Sequence, residues 1–254
     1  ETLPAAISRV KADLIVNCAA LANVDQAEKD PDLAQRVNAQ APGVIAATSA
    51  KLGIAMVHIS TDAVFDGTKG EYSEEVTPNP LNAYARSKLD GEKAVATANP
   101  EALIARVVFY GWSLGGNRSL AEFFYNNLSA EKTVKGFTDM FFTPLYVGDL
   151  ADLLLRSSAA GLQGIYHVFG ANSISKYAFG IALAREFNLD ETLVSPHSAL
   201  DSGLEAPRSL NLSMNTQKLQ DALGQGMPSL EEGLFALHHA LDAGLRERLK
   251  SFSE

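Results

Sequence analysis

The sequence is poor in several things, and each absence excludes something. One cysteine, Cys18, stands in 254 residues, so no intramolecular disulfide can form. It follows an apolar run and reads as a small buried residue. No uninterrupted apolar run approaches ~18 residues, so no membrane-spanning helix is expected. Basic residues are outnumbered, 21 Lys and Arg against 30 Asp and Glu, for a net charge of −9. That balance argues against a nucleic-acid partner, which needs a broad basic face. No His/Cys/Asp/Glu group has metal-ligand spacing, so no metal is expected. No signal peptide opens the chain, and the simplest location is the cytoplasm. Repeats and low-complexity stretches are missing as well. So is any G-x-G-x-x-G or G-x-x-G-x-x-G turn, the usual cradle for a dinucleotide pyrophosphate.

What is present is ordinary globular composition, 46% hydrophobic and 20% charged. Leu3 to Arg9 reads as a short helix and Asp13 to Cys18 as a strand with a continuous apolar centre, the pattern of a parallel sheet covered on both faces. Asp32 to Leu52 reads as helical, with a break near Asn38 to Ala41 ahead of Pro42. Ala55 to Ser60, Leu103 to Phe109 and Gly164 to Phe169 read as further buried strands, the last returning to the main sheet. Ala83 to Ala98 reads as the helix between the first two of these. Alternation of this kind gives an α/β fold, a Rossmann-type doubly wound parallel sheet. Helices are expected at Leu120–Ala130, Tyr146–Ser158, Lys176–Phe187, Asn215–Leu223 and Leu230–Leu249. Residues 1–112 with 145–170 are read as the sheet domain, and 113–144 with 171–254 as a smaller carboxyl-terminal substrate-binding domain.

The chemistry concentrates in Ile59-Ser60-Thr61-Asp62-Ala63-Val64-Phe65-Asp66-Gly67 and Tyr84-Ala85-Arg86-Ser87-Lys88. Tyr84 and Lys88 are one helical turn apart and share a face. A cation beside a phenol stabilises the phenolate and lowers its pKa, which suits proton exchange with a carbonyl or alcohol oxygen. A hydroxyl from Ser60 or Thr61, at the end of the neighbouring strand, is placed to hold the same oxygen. Tyr-x-x-x-Lys alone is a weak signal, because both residues are common on helices. The strand ending in Ser-Thr-Asp and the Pro78-Asn79-Pro80 turn before the helix give it weight. His58, inside an apolar run, reads as a satisfied core histidine. His238 and His239 read as a solvated helix face.

These segments resemble the extended short-chain dehydrogenase/reductases, and within them the dTDP-4-dehydrorhamnose reductase branch. The likeness is carried by Asn17-Cys18-Ala19-Ala20, Val24-Asp25-x-Ala27-Glu28, Val37-Asn38-Ala39, Ser60-Thr61-Asp62-x-Val64-Phe65-Asp66-Gly67, Tyr84-x-x-x-Lys88 and Asp90-Gly91-Glu92. Thr143-Pro144, Asp149-Leu150-Ala151 and Arg208 follow in the expected order. The resemblance implies NADPH or NADH as cofactor and a nucleotide-sugar as substrate, with a homodimer as a compatible assembly. It implies Thr61, Tyr84 and Lys88 as catalytic residues. It places Cys18, Ala19, Ala20, Asn38, Ser60, Tyr84 and Lys88 at the cofactor, and Thr61, Asp62, Val64, Phe65, Trp112 and Arg208 at the substrate. Lys88 would lower the Tyr84 pKa and hold the nicotinamide ribose.

Two departures bear on specificity. Ala63 stands where the branch often has tyrosine, and Leu21-Ala22 where it has Tyr-Thr. In this family a Gly-rich βαβ unit of roughly 30 residues or more precedes the Asn17 strand, yet only twelve residues precede Asp13. With Glu1 in place of methionine, the expectation is a fragment; the alternative is a naturally short chain that uses no dinucleotide. Two other functions share the family pattern. One is a non-catalytic regulatory subunit like the β subunit of methionine adenosyltransferase. The other is a nucleotide-sugar epimerase or dehydratase.

Overall fold

The computed structural model describes residues 2–201 and 209–252. Its first half alternates helix and strand: α1 (Leu3–Val10), β1 (Leu14–Asn17), α2 (Val24–Lys29), α3 (Pro31–Gln35), α4 (Ala41–Leu52), β2 (Ala55–Thr61), α5 (Ala83–Ala98) and β3 (Leu103–Val107). There follow β4 (Phe109–Tyr110), α6 (Leu120–Leu128), β5 (Val134–Phe137), β6 (Phe141–Phe142), β7 (Leu145–Tyr146), α7 (Val147–Ala159) and β8 (Gly164–His167). The remainder comprises β9 (Ile174–Ser175), α8 (Lys176–Glu186), β10 (Val194–His197), β11 (Asn211–Leu212), α9 (Gln217–Leu223), α10 (Leu230–Asp242) and α11 (Leu245–Lys250).

The main sheet is four-stranded and parallel, in the order β1-β2-β3-β8. Non-sequential parallel neighbours need crossover helices, and α5 and α7 supply them. The α/β class and the return of the Gly164 strand are as the sequence predicts. Every residue of β3 is buried. Among the described residues β1 is paired on one side only, by β2.

The two largest of four apolar clusters among the described residues lie one at the sheet and one among the later helices. One packs beneath the sheet around Val57, Leu103, Ala105, Leu153 and Val168, and it takes in Leu219 and Met227. α9 and the segment after it thus contribute Leu219 and Met227 to the core beneath the sheet. The other core is aromatic, with Tyr110, Trp112, Phe124, Phe142, Phe179 and Phe187 gathered from α6, α8 and the strands between them.

Several local expectations are corrected. The chain does not break before Pro42. It stays helical by widening to a π-turn over Arg36–Gln40. Pro42 has no N–H to offer the carbonyl of Asn38 four residues earlier, so the ladder shifts to the longer i→i+5 bond, from Ala41 N–H to Arg36 O. The final helix is two, parted at Gly244, whose φ of +72° favours glycine. α2 went unforeseen because six residues carry little periodicity; its Asn23 cap accepts from Gln26 N–H.

Candidate functional site

β2 delivers Ser60 and Thr61 to the carboxyl end of the sheet, the edge where ligands bind in open α/β folds. There the backbone turns into a 3₁₀ segment over Asp62–Val64, capped by the Thr61 hydroxyl accepting from Ala63 N–H at 3.2 Å. α5 begins behind it. Asn82 caps that helix by accepting from Ala85 N–H, and the Glu28 carboxylate of α2 accepts from Ala83 N–H at 2.7 Å. A carboxylate at the positive end of a helix stabilises it. Tyr84 is thus held at the helix start and Lys88 one turn deeper.

A cavity of about 490 Å³ opens at this corner, of the size that takes small ligands. Its polar wall is Ser60, Thr61, Asp62, Tyr84 and Lys88, with Cys18 and Ala20 at one side. Its remaining walls are apolar, from Val16, Ile59, Val107, Phe109 and the α7 face that includes Leu150 and Leu154. Seven of the residues expected at the site therefore share one space.

Each polar group has a defined partner. Lys88, 2% exposed, donates from Nζ to Ile59 O at 2.6 Å. Burial drives its ammonium down to about 8, and Glu92 one turn further along opposes this. The Tyr84 phenol shares a hydrogen bond with the Thr61 hydroxyl. Burial pushes that phenol up to about 12; the Thr61 bond pulls it down and the Asp62 carboxylate raises it again. The expected acidification by Lys88 is not among these influences. Desolvation outweighs it, and the phenol holds its proton firmly at neutral pH. Thr61 Oγ1 donates to Asp62 Oδ1 at 3.1 Å, and burial raises the Asp62 carboxyl to about 6.

Other expected site residues lie elsewhere. Val64 and Phe65 are fully enclosed in a cluster with Tyr72, Phe169 and Met214, because the 3₁₀ turn ends the strand alternation and swings them inward. Trp112 is in the aromatic core, where its Nε1 donates to Leu237 O at 3.0 Å. Neither they nor Ala19 line the cavity. Asn38 is fully buried and its amide is fully engaged. Oδ1 accepts from Leu21 N–H at 2.8 Å, and Nδ2 donates to Leu21 O and to Ser87 Oγ. It ties the loop after β1 to α5. Gly91 permits this closeness: a Cβ there would stand 2.1 Å from Asn38 O. Arg208 falls outside the described residues.

Three histidine and cysteine readings change in detail. Cys18 is exposed, since the strand ends at Asn17. His58 is buried but half satisfied: Nδ1 pairs with Asn17 Nδ2 at 3.1 Å, while Nε2 meets no partner among the described residues. Burial holds it neutral, down to about 3. His238 is only partly solvated, its side chain 28% exposed; it meets Glu186 Oε1 at 3.1 Å and packs on Phe187. The described residues hold no group of three or more potential metal ligands and no helix long and apolar enough to cross a membrane.

A parallel sheet that brings Ser-Thr to a cavity shared with a Tyr and a Lys one helical turn apart defines the short-chain dehydrogenase/reductase class. The family model described as the RmlD substrate binding domain matches residues 1–242, and the chain belongs to that family. A probable low-salt glycan biosynthesis reductase, Agl14, of Haloferax volcanii is 37% identical over 232 residues, 90% of this chain and 77% of that one. A dTDP-4-dehydrorhamnose reductase of Mycobacterium tuberculosis is 34% identical over 250 residues, 95% of this chain and 81% of its own. Methionine adenosyltransferase 2 subunit beta of Xenopus tropicalis is 32% identical over 234 residues, 88% and 69% of the two chains. Among solved structures, a Bacillus anthracis dTDP-4-dehydrorhamnose reductase in complex with NADP superposes with a TM-score of 0.86 at 29% identity. It covers 92% of this chain and 83% of that one.

Proposed function

We propose that the chain is an NAD(P)H-dependent oxidoreductase that reduces a 4-keto sugar carried on a nucleotide. The observation that carries this reading is the single cavity shared by Thr61, Tyr84 and Lys88. The cavity fits the nicotinamide end of such a cofactor: an apolar bed from Val107 and Phe109, with a few polar groups on one wall. When bound, the dihydronicotinamide supplies hydride. Lys88, anchored on Ile59 O, presents its charge to the cofactor ribose. Thr61, once its hydroxyl turns from Asp62, holds the substrate oxygen, and Tyr84, protonated at neutral pH, gives that oxygen its proton. Ser60 and Ala20 line the cofactor side, and Asp62 faces the sugar. The relatives named as reductases, and the NADP complex among the structural neighbours, support this assignment. We read the chain as a sheet unit, with the α9 segment added to residues 1–112 and 145–170, and a smaller substrate-binding unit, working in the cytoplasm.

The test is oxidation of NADPH and of NADH by the purified protein with a dTDP-4-keto sugar. Substrate-dependent oxidation lost in Tyr84→Phe supports the reading; none with either cofactor overturns it. The likeness to the methionine adenosyltransferase subunit favours a second reading, a regulatory partner. Stoichiometric capture of a synthetase by a chain that turns nothing over would establish that instead.

A further inference from the structure

Behind the polar wall runs a chain of buried groups that the proposed reaction leaves unused. Glu92, 2% exposed, sits on α5 one turn past Lys88 and two past Tyr84. Its Oε1 accepts from Ser60 Oγ at 2.6 Å and from Arg106 Nε at 2.9 Å, and its Oε2 accepts from Arg106 NH2 at 2.8 Å. Arg106, in β3 and 1% exposed, lies over the Phe65 ring, with NH1 3.4 Å from His167 Nε2. One carboxylate thus joins β2, β3 and the catalytic helix.

We infer that Glu92 is a positioning residue that keeps the Lys88 amine charged and turns the Ser60 hydroxyl away from the cavity. The geometry gives two reasons. Ser60 spends its proton on Glu92, so towards a ligand it is an acceptor only. Lys88 is enclosed, and a buried amine loses its proton unless an anion faces it. The groups that face it are Glu92 and Tyr84 from its own helix, Cys18 beyond β1 and His58 from β2. Tyr84 and His58 are held neutral by burial, and partial desolvation raises the thiol of surface-exposed Cys18 while the Lys88 charge opposes that. Of this set and the Asp62 that shares the cavity, Glu92 is the carboxylate whose charge raises the Lys88 ammonium against burial. It is held in place by Arg106, whose fork fixes both oxygens.

The inference rests on Lys88 as the cation of the proposed site, but its test does not require turnover. The ε-group of Lys88 is titrated by NMR in the cofactor-free protein and assigned by its loss in Lys88→Met. In Glu92→Gln the midpoint falls by roughly one unit or more, as expected on removing a close opposite charge. Glu92→Asp restores it in part. An unchanged midpoint in folded Glu92→Gln overturns the inference, as does a Glu92→Asp midpoint as low as that of Glu92→Gln. Should Glu92→Gln fail to fold, the Glu92→Gln/Arg106→Met pair, which leaves no lone buried charge, gives the deciding titration. In active protein the alkaline limb of kcat/KM moves down with the Lys88 midpoint. A shifted midpoint with an unmoved limb leaves the charge link standing and removes Lys88 from the reaction.

Discussion

The two halves of the molecule bury different things. Around the sheet, Asn17, His58, Asp62, Lys88, Glu92, Arg106 and His167 are all under 7% exposed. In the other half the interior is aromatic: Phe179 touches Tyr110, Phe124 and Phe142, ring on ring, and Trp112 meets Tyr125 and Phe187 edge-on. Buried charge is costly and is tolerated only with complete partners. Of the sheet-side groups Asp62 and Lys88 line the cavity, and Glu92 with Arg106 backs its wall through Ser60. In the aromatic half Glu122 on α6 is a carboxylate buried to the same degree, and it serves to cap that helix with Ser119 and Ser113. The contrast is one of proportion: buried charge concentrates around the sheet, and rings concentrate in the other half.

The largest expected effect follows from the hydroxyl alone. Tyr84→Phe lowers kcat on the order of 10²–10⁴-fold, the usual contribution of a positioned proton donor, with the melting temperature nearly unchanged. Turnover within a few-fold of the parent would mean that the proton comes from elsewhere. Next come two substitutions of similar size and different cause. Arg106→Met strands the Glu92 carboxylate and costs about 3–5 kcal/mol. Phe179→Ala leaves a hole in the aromatic core and costs about 3–5 kcal/mol as well. Denaturant midpoints separate the causes. Adding Glu92→Gln recovers much of the Arg106→Met loss and none of the Phe179→Ala loss; equal recovery, or none in either, would dissolve the distinction between the halves.

Acid tests the contrast in one experiment. Burial holds His58 down to about 3, helped by Lys88, and His167 down to about 4, helped by the Arg106 charge. Both folded values lie below the unfolded one, so between them the unfolded chain binds more protons and stability falls as pH drops below about 6.5. From pH 7 to 4.5 each histidine withdraws about 2.5 kcal/mol. Asp62 has the opposite sign. Its carboxyl is raised to about 6, so acid returns on the order of 2 kcal/mol through it. The net is a loss, and His167→Gln should flatten the slope. Urea midpoints that do not move between these pH values would show that the histidines are hydrated.

How much of this was legible depends on distance along the chain. α5 was read to the residue because Asn82 caps it and no proline interrupts it. The Tyr84/Lys88 pair and the Ser60-Thr61 strand end were legible for the same reason: spacing of one turn, or one strand terminus, fixes their geometry. Val64 and Phe65 were misplaced because a 3₁₀ turn, invisible in an apolar run, resets which side faces in. The buried role of Asn38 depends on a π-turn set by Pro42, where sequence suggests only a break. Glu92 and Arg106 meet across helix and strand, and nothing local announces such a pairing. The local signal for Glu92 is the Tyr84, Lys88, Glu92 row at successive turns of α5, which shares a face but names no partner in β3.

The smallest effect bears on the sharpest disagreement between sequence and structure, Trp112. Family resemblance puts it at the substrate; the fold puts it among rings, 7% exposed, with Arg246 over its face. Its Nε1–H goes to Leu237 O, a carbonyl inside α10 that can also take a helical bond. Trp112→Phe therefore removes one hydrogen bond without stranding the acceptor, and some ring volume. The cost is about 1–2 kcal/mol. Since the residue does not line the cavity, KM and kcat stay at parental values while the unfolding midpoint drops. The reverse pattern, a raised KM in a protein of unchanged stability, would return Trp112 to the substrate and show that the aromatic half reaches the chemistry after all.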